Sequence, residues 1–565
     1  MTCALQHPLV FDLYICVTND EPRAVDMAGC GSTMAMTRED PMSTEKPKQQ
    51  LSVNFAINVA GAIAPIVIAL VTVPILVRHI GDARYGVMSI VWVLLGYLGF
   101  LDLGLSRAST NALSRLPFSA TQERSEIVAT SFILNMALAS LGAVLLYFAG
   151  NFLLLTVFTV PPELEAEIAT ALPFIACLLP LALISGFSIG ILESRERFLL
   201  ANGLQIGGMI VGQVVPVLCA ILISPDLSVI IPAAALSRAA SVVVATLIAL
   251  YTEQGFRFDR FRFAKVRSLM NYGGWITLSS IILPVLNTLD QIIIGKTLGV
   301  SAVTYYSVPM NLVMRSQVFT SSLARTLFPR LSSLPRAEAI AISERAMMVS
   351  GILYAGLCAA GIFLMRPFLD LWMGPSFTAI AGTVAVVLLM GSWPNALTFA
   401  PFTLLQGQGR PDMTAKIHVA QMVPYVLLLV LLTHQFGILG AAIAFLCRGY
   451  ADCSLLILFS HMPRRIFRAL FPSAVLVVAA GVLQFVLAGS TPALFLAACV
   501  SMVIAIVLLR LQEREVFAQT LAVAMGAWNR RRSAGSAVPV TSPSIVGRTF
   551  PPAVGAPQTV EKQGA

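Results

Sequence analysis

Apolar runs of about 20 residues follow one another almost without interruption from Ser52 to Leu509. A helical run of this length spans the hydrocarbon core of a bilayer, whereas a soluble domain has no core large enough to bury so many of them. The composition agrees, because 57% of the 565 residues are hydrophobic and only 12% are charged. Soluble domains contain about 25% charged residues. The chain is therefore predicted to be a polytopic membrane protein and not a water-soluble enzyme.

The runs divide into about 14 apolar segments. Only helices or a closed barrel satisfy the backbone in lipid, and continuous apolar runs, rather than short stretches that alternate with polar residues, indicate helices. The predicted fold class is all-α, with segments at 55–77, 87–106, 127–149, 169–192, 203–223, 228–250, 273–296, 303–328, 346–366, 379–405, 417–433, 437–459, 470–488 and 493–509.

The basic residues are distributed unequally between alternate loops. One set of loops carries about 18 Lys and Arg and the other set about four, and basic loops stay in the cytoplasm. The first set is therefore predicted to be cytoplasmic, together with both termini. The excess of +9 in net charge is explained by this orientation, and a nucleic-acid partner is not expected.

The first six segments resemble the next six in sequence. Pro65 and Pro284 are 219 positions apart, the turns that end in Gly81 and Gly299 are 218 apart, and residues 112–116 match 326–331 at an offset near 215. Because six segments separate the matches, the two halves have the same orientation. They are predicted to be parallel repeats about an axis along the membrane normal, as in transporters with two bundles around a central site.

This repeat predicts the domain organisation. The expected units are a polar cytoplasmic tail whose Met1 need not be the true start (1–51), a six-helix bundle (52–250), a basic cytoplasmic linker (251–272), a second six-helix bundle (273–460), two additional helices (461–511) and a basic, then disordered, cytoplasmic tail (512–565).

Three arginines, Arg238, Arg315 and Arg448, lie well inside apolar segments. A charged side chain near the bilayer centre is costly, so such residues usually face a cavity or a partner. Asn311, Arg315, Ser322 and Arg325 recur at helical spacings and predict a polar stripe along one face of segment eight. Arg448 lies four residues before Asp452, and mutual neutralisation of the two is the structural interpretation that the spacing favours.

Two carboxylates, Asp102 and Asp290, lie in segments two and seven. A buried carboxylate has a raised pKa unless a cation partners it, so either could take up a proton or sodium ion as a coupling site. Either could also be the structural partner of an arginine on a neighbouring helix. Pro65 and Pro284 stand at matching positions of the two halves and predict helix bends that serve gating.

Signals of catalysis and of metal or cofactor binding are missing from the sequence. The five histidines are scattered, the nine cysteines form no spaced pattern, and the common hydrolase, metalloprotease and phosphate-binding motifs do not occur. The chain is predicted to be neither an enzyme nor a holder of a metal or cofactor. Any energy for transport must then come from an ion gradient or from the gradient of the substrate.

Several motifs resemble those of a known family. The first half carries Ile80-Gly81-Asp82-Ala83-Arg84-Tyr85-Gly86, then Phe100-Leu101-Asp102-Leu103-Gly104-Leu105, and the second half carries Leu289-Asp290-Gln291-Ile292-Ile293-Ile294-Gly295 and Phe328-Pro329-Arg330-Leu331-Ser332. Over roughly residues 50–460, the chain resembles the polysaccharide biosynthesis exporters. These are Wzx-like oligosaccharide flippases of the multidrug/oligosaccharidyl-lipid/polysaccharide exporter superfamily.

The resemblance implies two bundles around a cavity that opens alternately to each side of a bacterial inner membrane. The implied substrate is an oligosaccharide on a polyprenyl diphosphate, moved from the inner to the outer leaflet for surface or exopolysaccharide export. Arg315, Arg238, Arg448, Asn311 and Arg325 are then the expected substrate-binding residues, and Asp102, Asp290, Pro65 and Pro284 the expected coupling or gating residues. Membrane lipid and a polysaccharide polymerase or ligase are expected partners, with coupling to H⁺ or Na⁺ left open.

The sequence fits two other functions less well. An ion-coupled multidrug antiporter of the same superfamily should have carboxylates rather than arginines in its cavity, and segment one carries Asn54 and Asn58 but no carboxylate. A membrane glycosyltransferase, polymerase or ligase should have a large outer loop, and the longest one predicted here has about 18 residues.

Overall fold

The computed structural model describes residues 66–253, 256–263 and 288–514, except positions 103 and 488, together with the isolated positions 266, 286 and 518. All regular structure in these ranges is helical. The helices are α1 (Ile66–Ile80), α2 (Asp82–Leu98), α3 (Leu105–Ser114), α4 (Thr121–Phe152), α5 (Pro162–Ser194), α6 (Phe198–Leu222), α7 (Leu227–Thr252), α8 (288–297), α9 (Val300–Ser316), α10 (Val318–Ser333), α11 (Arg336–Trp372), α12 (Pro375–Leu397), α13 (Phe399–Gly407), α14 (Pro411–Phe436), α15 (Ile438–Phe459), α16 (Arg465–Val486) and α17 (Thr491–Gln512).

These helices confirm the predicted all-α membrane fold. Three predicted segments consist of two helices each, namely α2 with α3, α9 with α10, and α12 with α13. Among the described residues alone, 10 helical stretches are long and apolar enough to cross a membrane. Segments one and seven are described only in part, as α1 and α8, and Pro65 and Pro284 lie outside the described residues.

The helices extend beyond the apolar windows, so the loops are shorter than predicted. The outer loop expected to have about 18 residues is only 158–161, because α4 continues through a π-helical turn at Leu153–Val157 and α5 begins at Pro162. Proline is favoured in the first turn of a helix, and Glu163 and Glu165 in that turn complement the helix dipole. Hydropathy locates the apolar core of each helix and misses these polar ends.

The helix lengths repeat between the two halves. Gly81 and Gly299 precede α2 and α9 with positive φ angles of 81° and 88°, which glycine adopts without strain. The helical stretches Thr121–Val157 and Arg336–Trp372 both have 37 residues, and Pro162–Ser194 and Pro375–Gly407 both have 33. These equal lengths agree with parallel repeats.

The contact between α2 and α9 shows the symmetry directly. Ser307 donates a hydrogen bond to Ser89, its equivalent 218 positions earlier, at 3.0 Å. Thr304 Oγ1 donates to the carbonyl of Asp82 at 2.6 Å, and a Cβ on Gly86 would lie 1.8 Å from the carbonyl oxygen of Val300. At the same offset of 218 positions, Thr304 corresponds to Gly86 and Asp82 corresponds to Val300, so these two contacts are equivalent under the repeat. This is expected where two equivalent helices meet at a two-fold axis.

The two sides of the molecule differ in charge. We call the side with residues 253 and 256–263 and the loops at 115–120, 195–197, 334–335, 408–410 and 460–464 the basic face, and the side with Gly81 and the loops at 158–161, 223–226, 298–299 and 373–374 the opposite face. The basic face was predicted to be cytoplasmic.

The two bundles contact each other near the opposite face. Besides the α2–α9 contact, Val300 N donates to Thr159 O at 3.3 Å, and Trp372 Nε1 donates to Leu70 O at 2.5 Å. The hydroxyl of Tyr305 also donates to Asp82. The halves are therefore joined at this end of the molecule.

A buried ionic cluster joins the first bundle to the linker at the basic face. Arg124 is fully buried and binds Glu253 at 2.5 Å, the carbonyl of Leu113 at 2.7 Å and the hydroxyl of Ser194 at 3.1 Å. Arg195 binds the same carboxylate at 2.6 Å. Burial raises the pKa of Glu253, but the hydrogen bonds from Arg195 and Arg124 outweigh burial and leave the pKa below its ordinary value.

The two additional helices pack on the second bundle. Gly356 of α11 lies so close to Ala505 of α17 that a Cβ on the glycine would come within 2.5 Å of the alanine side chain. Arg465 at the start of α16 binds Glu344 of α11 at 2.8 Å. Helices α16 and α17 are therefore an addition to the second bundle and lie outside the repeat.

Candidate functional site

A cavity of about 460 Å³ lies between α1, α2, α5, α6 and α7 of the first bundle and α9 of the second. Its volume is in the range of sites for small molecules or for part of a larger one. Most of its walls are apolar, and its polar and aromatic lining consists of Thr72, Tyr85, Trp92, Ser185, Gln205, Gln213, Arg238, Ser241, Asn311, Arg315 and Trp372.

Arg238 and Arg315 are the only charged side chains among the described residues that line this cavity. Each bundle supplies one, Arg238 from α7 and Arg315 from α9. From the starts of these helices, the two arginines lie roughly 16 and 22 Å along the helix axes at 1.5 Å per residue. Both depths are smaller than the thickness of the hydrocarbon core, which is about 30 Å, so both arginines lie within the membrane span and the described part of the cavity is cationic.

Neither arginine has a hydrogen-bond or ion-pair partner within the described part of the chain, although the charge of Arg315 acts on the nearby hydroxyl of Tyr85. A guanidinium group has five donors and remains charged. Two such groups without a carboxylate partner are suited to an anion with several oxygen acceptors, above all a phosphate.

One face of α6 contributes amides and open space. Gln205, Gly208, Gly212 and Gln213 lie on this face, and the Oε1 of Gln213 accepts a hydrogen bond from Thr72 at 3.2 Å. A Cβ on Gly212 would meet nothing within 4 Å. Neither glutamine was among the residues predicted from sequence. Their spacing of eight residues in a largely apolar helix places them on one face and is a signal that could have identified them.

Three aromatic side chains line the cavity, and two of them, Tyr85 and Trp372, lie near the opposite face. Trp92 and Tyr85 come from α2, and Trp372 from the end of α11. The hydrogen bond from Trp372 to Leu70 joins α11 to α1. The cavity is thus lined by aromatic rings on the side where the two bundles meet.

The position of Arg315 depends on a break in the helical segment that carries it. Helix α9 ends at Ser316, and α10 begins at Val318. The hydroxyl of Tyr354 on α11 is 2.6 Å from the hydroxyl of Ser316 and donates to Ser392 on α12 at 3.2 Å. This buried chain of hydroxyl groups fixes the end of α9, one residue after Arg315, to two other helices.

The predicted substrate-binding residues are only partly brought together. Arg238, Arg315 and Asn311 all line the cavity. The segment predicted to carry a polar stripe from Asn311 to Arg325 is not one continuous helix, because the break at Gln317 divides it into α9 and α10. The side chain of Arg325 lies outside those that the structure describes.

Arg448 is not among the described residues that line the cavity. It donates to the carbonyl of Leu286, and its guanidinium lies 4.9 Å from the ring centre of Tyr425. Asp452 accepts a hydrogen bond from Gln421 at 2.8 Å. Arg448 therefore packs inside the second bundle.

Asp290 belongs to the same buried region as Arg448. Its carboxylate accepts hydrogen bonds from the hydroxyl of Tyr306 and from the backbone of Gln291, the latter at 2.8 Å, and the charge of Arg448 acts on it. This arrangement favours the structural interpretation of Asp290 that the sequence left open.

Asp102 lies at the break between α2 and α3. It ends a 3-10 turn at Gly99–Asp102 and accepts a hydrogen bond from the hydroxyl of Ser106 at 2.7 Å. The side chain thus caps the start of α3 and does not reach the described part of the cavity. The described residues also include no group of three or more His, Cys, Asp or Glu side chains that could hold a metal ion.

Comparisons with known proteins agree with this architecture. The chain is 27% identical to the putative O-antigen transporter of Shigella flexneri over 408 residues, which are 71% of this chain and 96% of that protein. It is 26% identical over 162 residues to the probable flippase AglR of Haloferax volcanii, covering 28% of this chain and 34% of that one.

Two solved structures have a similar fold. The lipid II flippase MurJ in an inward closed conformation matches with a TM-score of 0.62 and 12% identity, covering 83% of this chain and 99% of the MurJ chain. An inward-facing multidrug resistance MATE family transporter of the MOP superfamily matches with a TM-score of 0.55 and 15% identity, covering 73% of this chain and 99% of that chain.

The family model for polysaccharide biosynthesis proteins matches residues 51–335, which include the first bundle, the linker and the broken segment formed by α9 and α10. This is the region that carries most of the motifs identified in the sequence and both cavity arginines. The chain is therefore a multi-pass membrane protein that belongs to the polysaccharide biosynthesis protein family.

Proposed function

We propose that this protein moves a polyprenyl-diphosphate-linked oligosaccharide from the inner to the outer leaflet of a bacterial inner membrane, for export of a surface or extracellular polysaccharide. The observation that carries the proposal is the cavity in which Arg238 and Arg315 are the only charged side chains among the described lining residues. A diphosphate between them would pair with one guanidinium from each bundle. The names of its relatives, an O-antigen transporter and a flippase, support the same substrate class.

The other lining residues suit the carbohydrate part of such a substrate. The amides of Gln205, Gln213 and Asn311 can both donate and accept hydrogen bonds, as sugar hydroxyl groups require. Trp92 and Trp372 offer apolar ring faces to a sugar. The polyprenyl tail would remain in the lipid beside the bundles, so only the polar head has to cross the protein.

The contacts between bundles suggest the direction of loading. Because the two halves are joined near the opposite face, the substrate would enter from the basic face, which we identify with the cytoplasm along with both termini. Opening of the contacts between α2 and α9 would then release the head to the outer leaflet. A polymerase or ligase would receive the glycan there.

A multidrug antiporter of the same superfamily is the alternative function. Such a protein needs a carboxylate for cationic drugs or coupling ions, and neither Asp102 nor Asp290 reaches the described part of the cavity. The guanidinium groups would repel a cationic drug. The flippase is therefore the better-supported function, and coupling to H⁺ or Na⁺ is not required by it.

The proposal is tested in spheroplasts of a strain that lacks the gene. Lipid-linked glycan is labelled with a membrane-impermeant reagent, and the labelled fraction is compared after complementation with the wild type, Arg315→Gln or Arg238→Gln. Loss of a charge-assisted hydrogen bond costs about 1.5–3 kcal/mol, which weakens binding roughly 10- to 100-fold. We therefore expect the labelled fraction to fall strongly in both variants.

Arg464→Gln is the matched control, because Arg464 is exposed at the basic face and far from the cavity lining. It should restore labelling to the wild-type level. Full labelling by Arg315→Gln at equal protein abundance would refute the role of Arg315. Full labelling in a strain that lacks both the gene and any paralogue of it would refute the flippase function.

A further inference from the structure

The segment between the two bundles has an alternating pattern that the cavity does not explain. Residues 256–263, which we call the arginine–phenylalanine strip, read Phe-Arg-Phe-Asp-Arg-Phe-Arg-Phe. Three arginines and one aspartate give the strip a net charge of +2. Such a pattern places aromatic and basic side chains next to one another along a short surface.

The strip is held in place along α4. The backbone N–H of Arg257 donates to the hydroxyl of Ser125, and that of Arg262 donates to the hydroxyl of Thr130, both at 3.1 Å. The ring of Phe258 packs edge-on against Phe132, with 5.6 Å between the ring centres. These contacts make the strip a fixed part of the surface.

The strip rises from the basic face toward the lipid. Thr130 follows the first residue of α4 by nine positions, or roughly 13 Å along the helix. Within the next two turns after Thr130, Ile133 and Met136 are each 39% exposed and face outward. The strip therefore ends beside the lipid-facing surface of α4, at the level where a bilayer has its headgroups.

Three side chains of the strip are largely exposed at this level. The side chains of Arg257 and Arg262 are 65% and 63% exposed, and Phe263 is 81% exposed. Asp259 lies 3.0 Å from Arg257 and Glu126 lies 3.6 Å from Arg262. Each acid engages one edge of a guanidinium, so the arginines keep further N–H donors for another acceptor.

We propose that the arginine–phenylalanine strip binds anionic phospholipid headgroups of the leaflet at the basic face. Aromatic rings favour the membrane interface, and arginine forks match phosphate oxygens. Basic residues beside a membrane helix also attract anionic lipids electrostatically. The place of the strip beside the lipid-facing side chains of α4 fits a lipid surface, since a soluble partner would have to bind among the headgroups.

The test measures retained lipid and needs no transport, so it is independent of the proposed function. The purified full-length protein is released from vesicles of mixed phosphatidylglycerol and phosphatidylcholine, and bound lipids are counted by native mass spectrometry. The wild type should retain phosphatidylglycerol in preference to phosphatidylcholine. We expect the triple variant Arg257→Gln, Arg260→Gln, Arg262→Gln to lose most of this preference.

Two further variants make the result specific. The triple variant with lysine at the same positions keeps the charge and should retain most of the preference. Arg336→Gln, Arg464→Gln, Arg468→Gln removes three other exposed arginines of the basic face and should retain it as well. An unchanged preference in the glutamine variant of the strip, or an equal loss in the control variant, would overturn the proposal.

Discussion

At the scale of single residues, buried charges in this protein fall into two groups. Arg124 and Glu253 neutralise each other at the basic face, whereas Arg238 and Arg315 face the cavity without a carboxylate partner among the described residues. Burial of an unpaired charge is costly, so the second arrangement makes sense where an anionic substrate supplies the missing partner. The ion pair stabilises the fold at the basic face. In the cavity, the proposed substrate diphosphate would supply the missing partner.

The Arg124–Glu253 pair predicts a dependence of stability on pH. The folded-state pKa of Glu253 is below the ordinary value of 4.5, so the pair contributes fully above that value and loses its contribution as the pH falls through the folded-state pKa. Replacing one partner of a buried pair costs about 3 kcal/mol. We expect Glu253→Gln to lower the melting temperature strongly at neutral pH and less in acid.

Thermal unfolding in detergent across a pH series would check this prediction. Asp412→Asn is a suitable control, because Asp412 and its partner Lys416 are exposed and their ion pair spans one helical turn. A melting-temperature difference for Glu253→Gln that stays the same or grows toward low pH would contradict the account of the pair.

The single residues also show what sequence could reveal. A charge in an apolar segment is a strong signal, and Arg238 and Arg315 were found by it, while Asn311 was found by its spacing of one helical turn from Arg315. The same signal gave Arg448, whose side chain packs inside the second bundle. Sequence spacing does not determine which side of a helix faces a cavity, because the packing of other helices decides it.

At the scale of elements, the break between α9 and α10 connects packing to the site. Tyr354 binds Ser316 at the end of α9, so Tyr354→Phe should free the end of the helix that carries Arg315. Loss of a hydrogen bond costs about 1 kcal/mol, a small part of the stability of a protein this size. We therefore expect a modest fall in melting temperature and a larger fall in the apparent affinity for substrate.

Tyr450→Phe provides the comparison for Tyr354→Phe. Tyr450 packs its ring near Trp393 in the same bundle, with 6.2 Å between ring centres, and its hydroxyl group has no hydrogen bond within the described residues. Affinity measured by concentration dependence of glycan labelling should be unchanged in this variant. Equal affinities in the two variants would mean that Tyr354 does not position Arg315.

Helix α6 offers a test of the cavity that leaves both arginines in place. A Cβ at Gly212 would meet open space at the cavity wall, so Gly212→Leu should place its side chain in the cavity and occupy part of the space for substrate. We expect transport to fall to the level of the deletion strain. Stability should change by no more than Gly203→Leu changes it, since Gly203 is an exposed glycine of the same helix with equally open surroundings.

Transport and melting temperature of these two leucine variants are the required measurements. Normal transport by Gly212→Leu would show that the substrate does not occupy this cavity. Loss of transport by Gly203→Leu to the same degree would attribute the effect to the helix and not to the filled cavity.

At the scale of the whole molecule, the repeat determines where the two bundles meet. Ser89 and Ser307 are equivalent residues that touch at the axis between α2 and α9. If the bundles separate at the opposite face during transport, this contact must open. A reversible cross-link there should hold the protein in the observed conformation and stop transport.

Cysteines at both positions, in a background without the native cysteines, provide this cross-link. We expect oxidation of Ser89→Cys, Ser307→Cys to block glycan labelling and a reductant to restore it. Each single cysteine variant should transport normally under both conditions. Undiminished transport by a fully cross-linked protein would contradict opening between α2 and α9.

Much of the whole molecule was predictable from sequence. The all-α class, the membrane segments and the repeat followed from apolar runs and from motifs such as those at Gly81 and Gly299. The short loop at 158–161 did not, because hydropathy does not detect the polar turns by which α4 and α5 extend. The break at Gln317 was also missed, since hydropathy does not detect the hydrogen bonds of Ser316 with Val313 and with Tyr354 of α11 that accompany it.

The most direct measurement of the central claim uses purified protein in lipid vesicles that contain a polyprenyl-diphosphate-linked oligosaccharide. A membrane-impermeant reagent modifies only the glycans on the outer leaflet, and the fraction that becomes modified over time reports movement between leaflets. The account predicts that the wild-type protein makes nearly all the glycan accessible, while vesicles with Gly212→Leu or without protein leave the inner pool protected. An inner pool that remains protected in the presence of correctly folded wild-type protein would contradict it.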